Sequence, residues 1–230
     1  MQLGGATWPE VAATRESCVL LVPIGSLEQH GPHLPLDTDT RIAVELALRL
    51  SRARPDVVVA PALPYGASGE HAGFPGTLLI NHAVLTELLL ELVRSARGSF
   101  AGVAVISGHG GNREGLAMLG ERCRADGDPV VIWSAGVPGG DAHAGRTETS
   151  LMLAIDLAAV RLELAAPGCT EPLEVLLPRL RAEGVRPVSS SGVLGDPRGA
   201  SAAEGEALLG AMTDELTAVL LARWPVPEDP

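Results

Sequence analysis

Short β-branched apolar runs alternate with longer stretches whose apolar residues recur at helical spacing, and the alternation persists along most of the chain. The runs at 18–24, 57–60, 103–106 and 129–133 are almost continuously apolar, the pattern of strands covered on both faces. Helical periodicity covers 41–52, 83–97, 114–124, 148–159, 171–182 and 203–224. Thr38 or Thr40 is placed to cap the first of these helices and Asn81 the second, which Gly98 then ends. Strands separated by helices of this length imply βαβ crossovers and a mainly parallel sheet, hence the α/β class. No repeat, low-complexity linker or composition break interrupts the 230 residues, so a single domain over 1–230 is expected.

Composition narrows the function. Apolar residues make up 46% and charged residues 20%, which suits a folded domain, while aromatics at 3% leave the core to Leu, Val, Ala and Ile. A net charge of −11 opposes nucleic-acid binding, which depends on neutralising phosphates. Cys18, Cys123 and Cys169 have neither metal-ligand nor disulfide spacing. Residues 1–14 lack a signal-peptide pattern and no apolar run reaches membrane-spanning length, so a soluble cytoplasmic protein without membrane partners is expected.

Three clusters carry candidate chemistry, each after an apolar run, where open α/β sheets place their sites. After the first run, residues 28–39 hold Glu28, His30, His33, Asp37 and Asp39 on a path stiffened by Pro32 and Pro35. Glu28 and His30, two apart in extended chain, point the same way. Asp39 suits a carboxylate shared between two cations, which needs preset geometry. Asp37 and His33 compete for the same roles; the favoured reading of Asp37 is a cap of the following helix, and His33 reads equally as a rim or supporting residue. The second cluster is the turn Ser107-Gly108-His109-Gly110-Gly111-Asn112, whose glycines let backbone approach closely while His109 projects. A phosphate-cradling loop of a non-hydrolytic nucleotide-binding module is the alternative, although dinucleotide spacing is missing. The third is Asp141-Ala142-His143 followed by Glu148 at a helix start. His82 reads as an exposed or packed histidine, whereas Glu70 and His71, on the glycine-rich loop 65–77, could line a site or be structural.

The segments GSLEQHGPHLPLDTD (25–39), YGASGEHAGFPGT (65–77), SGHGGN (107–112) and DAHAGRTETS (141–150) together resemble the creatininase family of metal-dependent amidohydrolases. The resemblance implies a three-layer α/β/α sandwich, a two-metal site at the carboxyl ends of the strands, and ring-like homo-oligomers such as hexamers. It implies that Glu28 binds one cation, His30 the other, that Asp39 bridges both, and that His109 completes the first site. The two cations per chain would be zinc, iron(II) or manganese. His143 would then protonate the departing amine.

One position departs from the creatinine-hydrolysing pattern. Those members carry a glutamate two residues after the turn histidine, and here that position is Gly111. Glu148 is the candidate to fill the second metal site. The tail segments LPRLRAEGV (177–185) and GVLGDPRGASAAEGE (192–206) are similar to a branch of the family that trims a modified ribosomal precursor peptide. That resemblance implies release of a carboxyl-terminal Val-Tyr dipeptide; a small cyclic amide or a formamide is the alternative substrate. The apolar residues of 203–224 are expected to face another subunit, and the loop 65–77 with Phe74 to wall the substrate site.

Overall fold

The computed structural model describes residues 1–14 and 18–225. Four parallel strands, β1 (Val19–Ile24), β2 (Val57–Val59), β3 (Gly102–Ser107) and β4 (Val130–Ser134), lie in the order β2-β1-β3-β4. The helices are α1 (Trp8–Ala13), α2 (Thr38–Ala53), α3 (His82–Ala96), α4 (Arg113–Asp126), α5 (Arg146–Ile155), α6 (Leu173–Glu183), α7 (Val185–Val188) and α8 (Ala202–Arg223). All four expected strands and all six expected helices are present, with boundaries moved by a few residues. The expected 148–159 helix stops at Ile155 and continues as a 3-10 turn at Leu157–Ala159.

Side chains of successive strand residues go to opposite faces, and the two faces divide the core. Leu20, Val22, Ile24, Val103 and Val105 meet Leu85, Leu89, Leu90 and Val93 of α3 and Leu116 and Leu119 of α4. Val19, Leu21, Ala104 and Ile106 meet Ile42 and Leu46 of α2, Leu151 of α5, and Leu209, Met212 and Leu216 of α8. The result is the expected three-layer α/β/α sandwich, with β1 and β3 buried along their whole length.

The capping expectations divide. Asn81 caps α3, its side chain accepting from the Val84 amide at 2.8 Å. Helix α2 instead begins at Thr38 with Asp37 at the cap position, and the Asp37 side chain makes no capping bond. It accepts from Arg41 Nε at 2.7 Å, because a cation one turn along the helix competes for the carboxylate. Helix α8 divides: Leu209, Met212, Leu216 and Leu220 are buried in the core, whereas Leu221 and the small residues Ala203, Ala207, Ala211 and Ala218 stay exposed. The exposed apolar stripe lies on α3, where Val84, Leu88 and Leu92 are 38–49% exposed at four-residue spacing, beside Leu78 and Leu79.

The strand order places the site. From β1 the chain crosses outward to β2 and then returns past β1 to β3, so the order reverses between β1 and β3. Helix α2, after β1, packs on one face of the sheet, and α4, after β3, packs on the other. The two exit loops therefore diverge and leave a crevice at the carboxyl edge, where ligands bind in open α/β sheets. Among the described residues no helix is long and apolar enough to cross a membrane.

Candidate metal centre

The three clusters meet in that crevice. Asp39, in the first turn of α2, sits between two imidazoles: its Oδ1 is 3.1 Å from His30 Nε2 and its Oδ2 is 3.1 Å from His109 Nδ1. Ser26 also donates to Oδ2 at 2.7 Å, a partner absent from the sequence reading. Gly108 permits the approach of the β3 exit to α2: a Cβ there would lie 2.1 Å from the Asp39 carbonyl oxygen. Glu28 Oε2 is 3.3 Å from His109 Nε2, and Glu28 Oε1 is 3.3 Å from His71 Nε2 and 3.7 Å from His143 Nδ1. Glu148 Oε2 reaches within 3.8 Å of His30 Nε2.

These groups are held from behind. His30 Nδ1 lies 3.1 Å from the Glu28 carbonyl oxygen, which turns Nε2 inward, the arrangement of a ligating histidine. Glu148 accepts from the Ala144 amide at 2.6 Å. Ala144 has φ +51°, the positive-φ residue other than glycine among those described, and this strained backbone sits beside the centre. The His143 segment is pinned by the tail: Leu194 donates to the His143 carbonyl at 2.8 Å and accepts from the His143 amide at 3.2 Å. The tail motif thus acts as a clamp on the third cluster.

Burial decides the electrostatics. Glu28, His30 and Asp39 are at most 1% exposed. Both Glu28 carboxylate oxygens are buried without a hydrogen-bond partner, and burial pushes the group up to about 7, although His109 opposes the shift. Burial likewise raises Glu148, against the pull of His30. Asp39 is pushed up by burial, but His30 and His109 more than offset this and hold it well below the usual carboxylate range. Burial depresses His30 and His109, yet the carboxylates around them lift both to about 10. Burial and neighbouring imidazoles lower His71 to about 3 and keep His143 neutral as well.

An orphaned buried carboxylate is costly, and cations are the ordinary remedy. The cluster provides donor groups of that kind: Glu28, Asp39 and His109 form one set, His30, His143 and Glu148 a second, and Glu28, His71 and His143 a third. Every residue named as a ligand from sequence therefore converges here. His33 does not; buried behind the centre, it meets Thr149 Oγ1 at 2.9 Å. Asp37 faces outward to Arg41, and His82 stands at the rim near Glu114.

Above the cluster opens a cavity of about 840 Å³, the size of a small-ligand or peptide-end pocket. Gly69, Glu70, His71 and Ala72 line it, together with Leu173, Leu177 and Leu180 of α6. Glu70 and His71 are thus lining residues, the functional member of the two readings. Phe74 differs from expectation: it packs beneath α6 and α7 with Leu176, Leu180 and Val185, and supports the wall instead of forming it. A Cβ at Gly111 would lie 2.3 Å from His109 Nε2 and 2.5 Å from Glu70 Oε1. The glycine turn is thus packed against His109 and the Glu70 carboxylate, which leaves no open backbone cradle for a phosphate at Gly111.

Known proteins resemble this chain along nearly its whole length. The family model described as "Creatininase: Creatinine amidohydrolase" matches residues 5–220. The chain is 45% identical to a mycofactocin precursor peptide peptidase of Mycobacterium tuberculosis (strain CDC 1551 / Oshkosh), over 99% of this chain and 93% of that protein. A solved manganese form of creatininase superposes with a TM-score of 0.78 at 26% identity, covering 98% of this chain and 99% of the other. A zinc–zinc form of a creatininase variant does so with a TM-score of 0.77 at 26% identity, covering 98% of each.

Proposed function

The chain belongs to the creatininase family, whose model is that of a creatinine amidohydrolase and whose relatives include a peptidase, and from that premise we propose that it hydrolyses a C–N bond in trimming a modified ribosomal precursor peptide. The bond cut would release a carboxyl-terminal Val-Tyr dipeptide during mycofactocin biosynthesis. Support comes from identity over nearly the full chain and from a cavity whose leucine wall suits a bulky peptide end. The observation that carries the chemistry is Glu28, with two buried oxygens, neither hydrogen-bonded, among three imidazoles.

The donors fit two divalent cations. Glu28 and His109 would hold one, His30 and Glu148 the other, and Asp39, with one oxygen turned to each histidine, would bridge them. Zinc, iron(II) or manganese suits this mixed nitrogen and oxygen set. Bound there, the cations would supply a water that ionises near neutral pH and a Lewis acid for the scissile carbonyl.

The chain's own groups do the rest. His143 is neutral and turns Nδ1 towards Glu28, so it can take a proton from the attacking water at that nitrogen. It then delivers that proton to the amine as the C–N bond breaks, a role worth about 10²–10⁴-fold in rate. Leucines of α6 would hold the peptide end and exclude water.

We further propose that residues 1–230 work as one creatininase-like domain in the cytoplasm, assembled into a closed homo-oligomer. The α3 stripe is the surface that favours assembly. Light scattering that shows a monomer at micromolar concentration would contradict it. The activity is tested by mass spectrometry of the metal-loaded chain with the decarboxylated, crosslinked precursor. Release of Val-Tyr is expected; turnover of creatinine or a formamidopyrimidine in its place would point to another substrate.

A further inference from the structure

Gln29 lies between the metal-ligand candidates Glu28 and His30, yet its side chain turns away to two other imidazoles. Its amide has one orientation only. Oε1 accepts from the Gly31 amide at 2.9 Å, and Nε2 donates to the Gly192 carbonyl at 3.0 Å. Flipping the amide would set oxygen against oxygen at Gly192 and nitrogen against an N–H at Gly31. The pocket is closed around it, since a Cβ at Gly192 would lie 1.7 Å from Oε1. The backbone is equally committed: the Gln29 amide donates to Thr77 Oγ1 at 3.1 Å.

Two ring hydrogens follow, one from the backbone carbonyl of Gln29 and one from that amide orientation. The backbone carbonyl oxygen of Gln29 lies 2.7 Å from His143 Nε2, and two acceptors cannot meet at that distance, so His143 carries its hydrogen on Nε2. The second Gln29 amide hydrogen goes to His71 Nδ1 at 2.9 Å, so that nitrogen is the acceptor and the His71 hydrogen is on Nε2. The remaining contact, 3.0 Å between Gln29 Nε2 and His143 Nε2, joins two donors whose hydrogens point elsewhere.

Glu28 Oε1 therefore stands between imidazoles of unlike polarity. The N–H side of His71 is 3.3 Å away, and the bare Nδ1 of His143 is 3.7 Å away. We infer that Gln29 is a positioning residue that sorts these two histidines. It bars His71 from ligating a cation through Nε2, and it presents the His143 lone pair to the reacting water. Of the three donor sets in the crevice, the one that relies on His71 then holds no metal. The catalytic half of this inference rests on the role proposed for His143, whereas the tautomers stand without it.

The test is ¹⁵N NMR of the histidine rings in the full chain in the presence of zinc, with signals assigned through His71→Asn and His143→Asn. Both rings should carry hydrogen on Nε2 and none on Nδ1. In Gln29→Glu, which cannot donate to His71, the His71 hydrogen should move to Nδ1. The kcat should fall about 10–100-fold, the usual size of effect for a group in the layer around a metal centre, with KM unchanged. A hydrogen on Nδ1 of either ring in the unaltered chain would overturn the inference, whether or not the variant folds. So would Gln29→Glu with unmoved tautomers or an unchanged kcat. A fully active His143→Ala would instead remove the proton-transfer role and leave the tautomer result standing.

Discussion

The floor and the wall of the cavity are built on opposite terms. The floor rests on Glu28, His30, Asp39 and His109, all at most 6% exposed, with His30 oriented by the Glu28 carbonyl and Asp39 by Ser26. The wall is a stripe of α6 whose Leu173 and Leu177 are 41% and 36% exposed and make few demands on geometry. Buried charge tolerates one arrangement and fixes reaction type, whereas exposed leucines tolerate many and tune which substrate end is held.

Changes on the floor should therefore alter kcat, and changes on the wall KM. The largest effect is expected for His143→Ala, a fall in kcat of about 10²–10⁴-fold with the metals retained. Steady-state kinetics with metal analysis checks both halves, and an active variant would take His143 out of the mechanism. Leu177→Ala should raise KM for the peptide about tenfold, near the low end of the ~1–3 kcal/mol that an apolar pocket contact is worth. An equal loss in kcat would erase the distinction between floor and wall.

Smaller effects test the layer behind the floor. Burial holds His33 down to about 4, with an ordinary value of 6.5 when unfolded. Between those values the unfolded chain binds more protons, so stability is full above pH 6.5 and declines as the pH falls towards 4. Melting curves should show that decline, and His33→Gln should flatten it; an identical slope would place the acid sensitivity elsewhere. Least of all is expected from Asp37→Ala, since Arg41 keeps Asp156 at 2.8 Å. A stability change of about 0.2–1 kcal/mol and unaltered metal content are expected. Loss of a cation would bring Asp37 into the centre.

The floor was legible in the sequence because its donors are rare residues packed into short segments after apolar runs. The strands were legible for a similar reason: burial on both faces leaves continuous Val, Leu and Ile. Other features depend on contacts made late in the chain. Nothing local marks Gly192 as the partner of Gln29, or Leu194 as the clamp on His143, since 163 residues separate the first pair. Apolar content could not tell which residues of α8 and α3 turn to solvent, because apolar residues read alike whether they face a sheet or the surface. Phe74 was misplaced on the same ground, its neighbours coming from α6 and α7.

The two-cation floor is the central claim, and metal content per chain tests it most directly. Elemental analysis of the purified chain should give two divalent ions, and His109→Ala, which removes the imidazole between Glu28 and Asp39, should lose at least one of them. Two ions fully retained by that variant, or none in the unaltered chain after metal loading, would contradict the account.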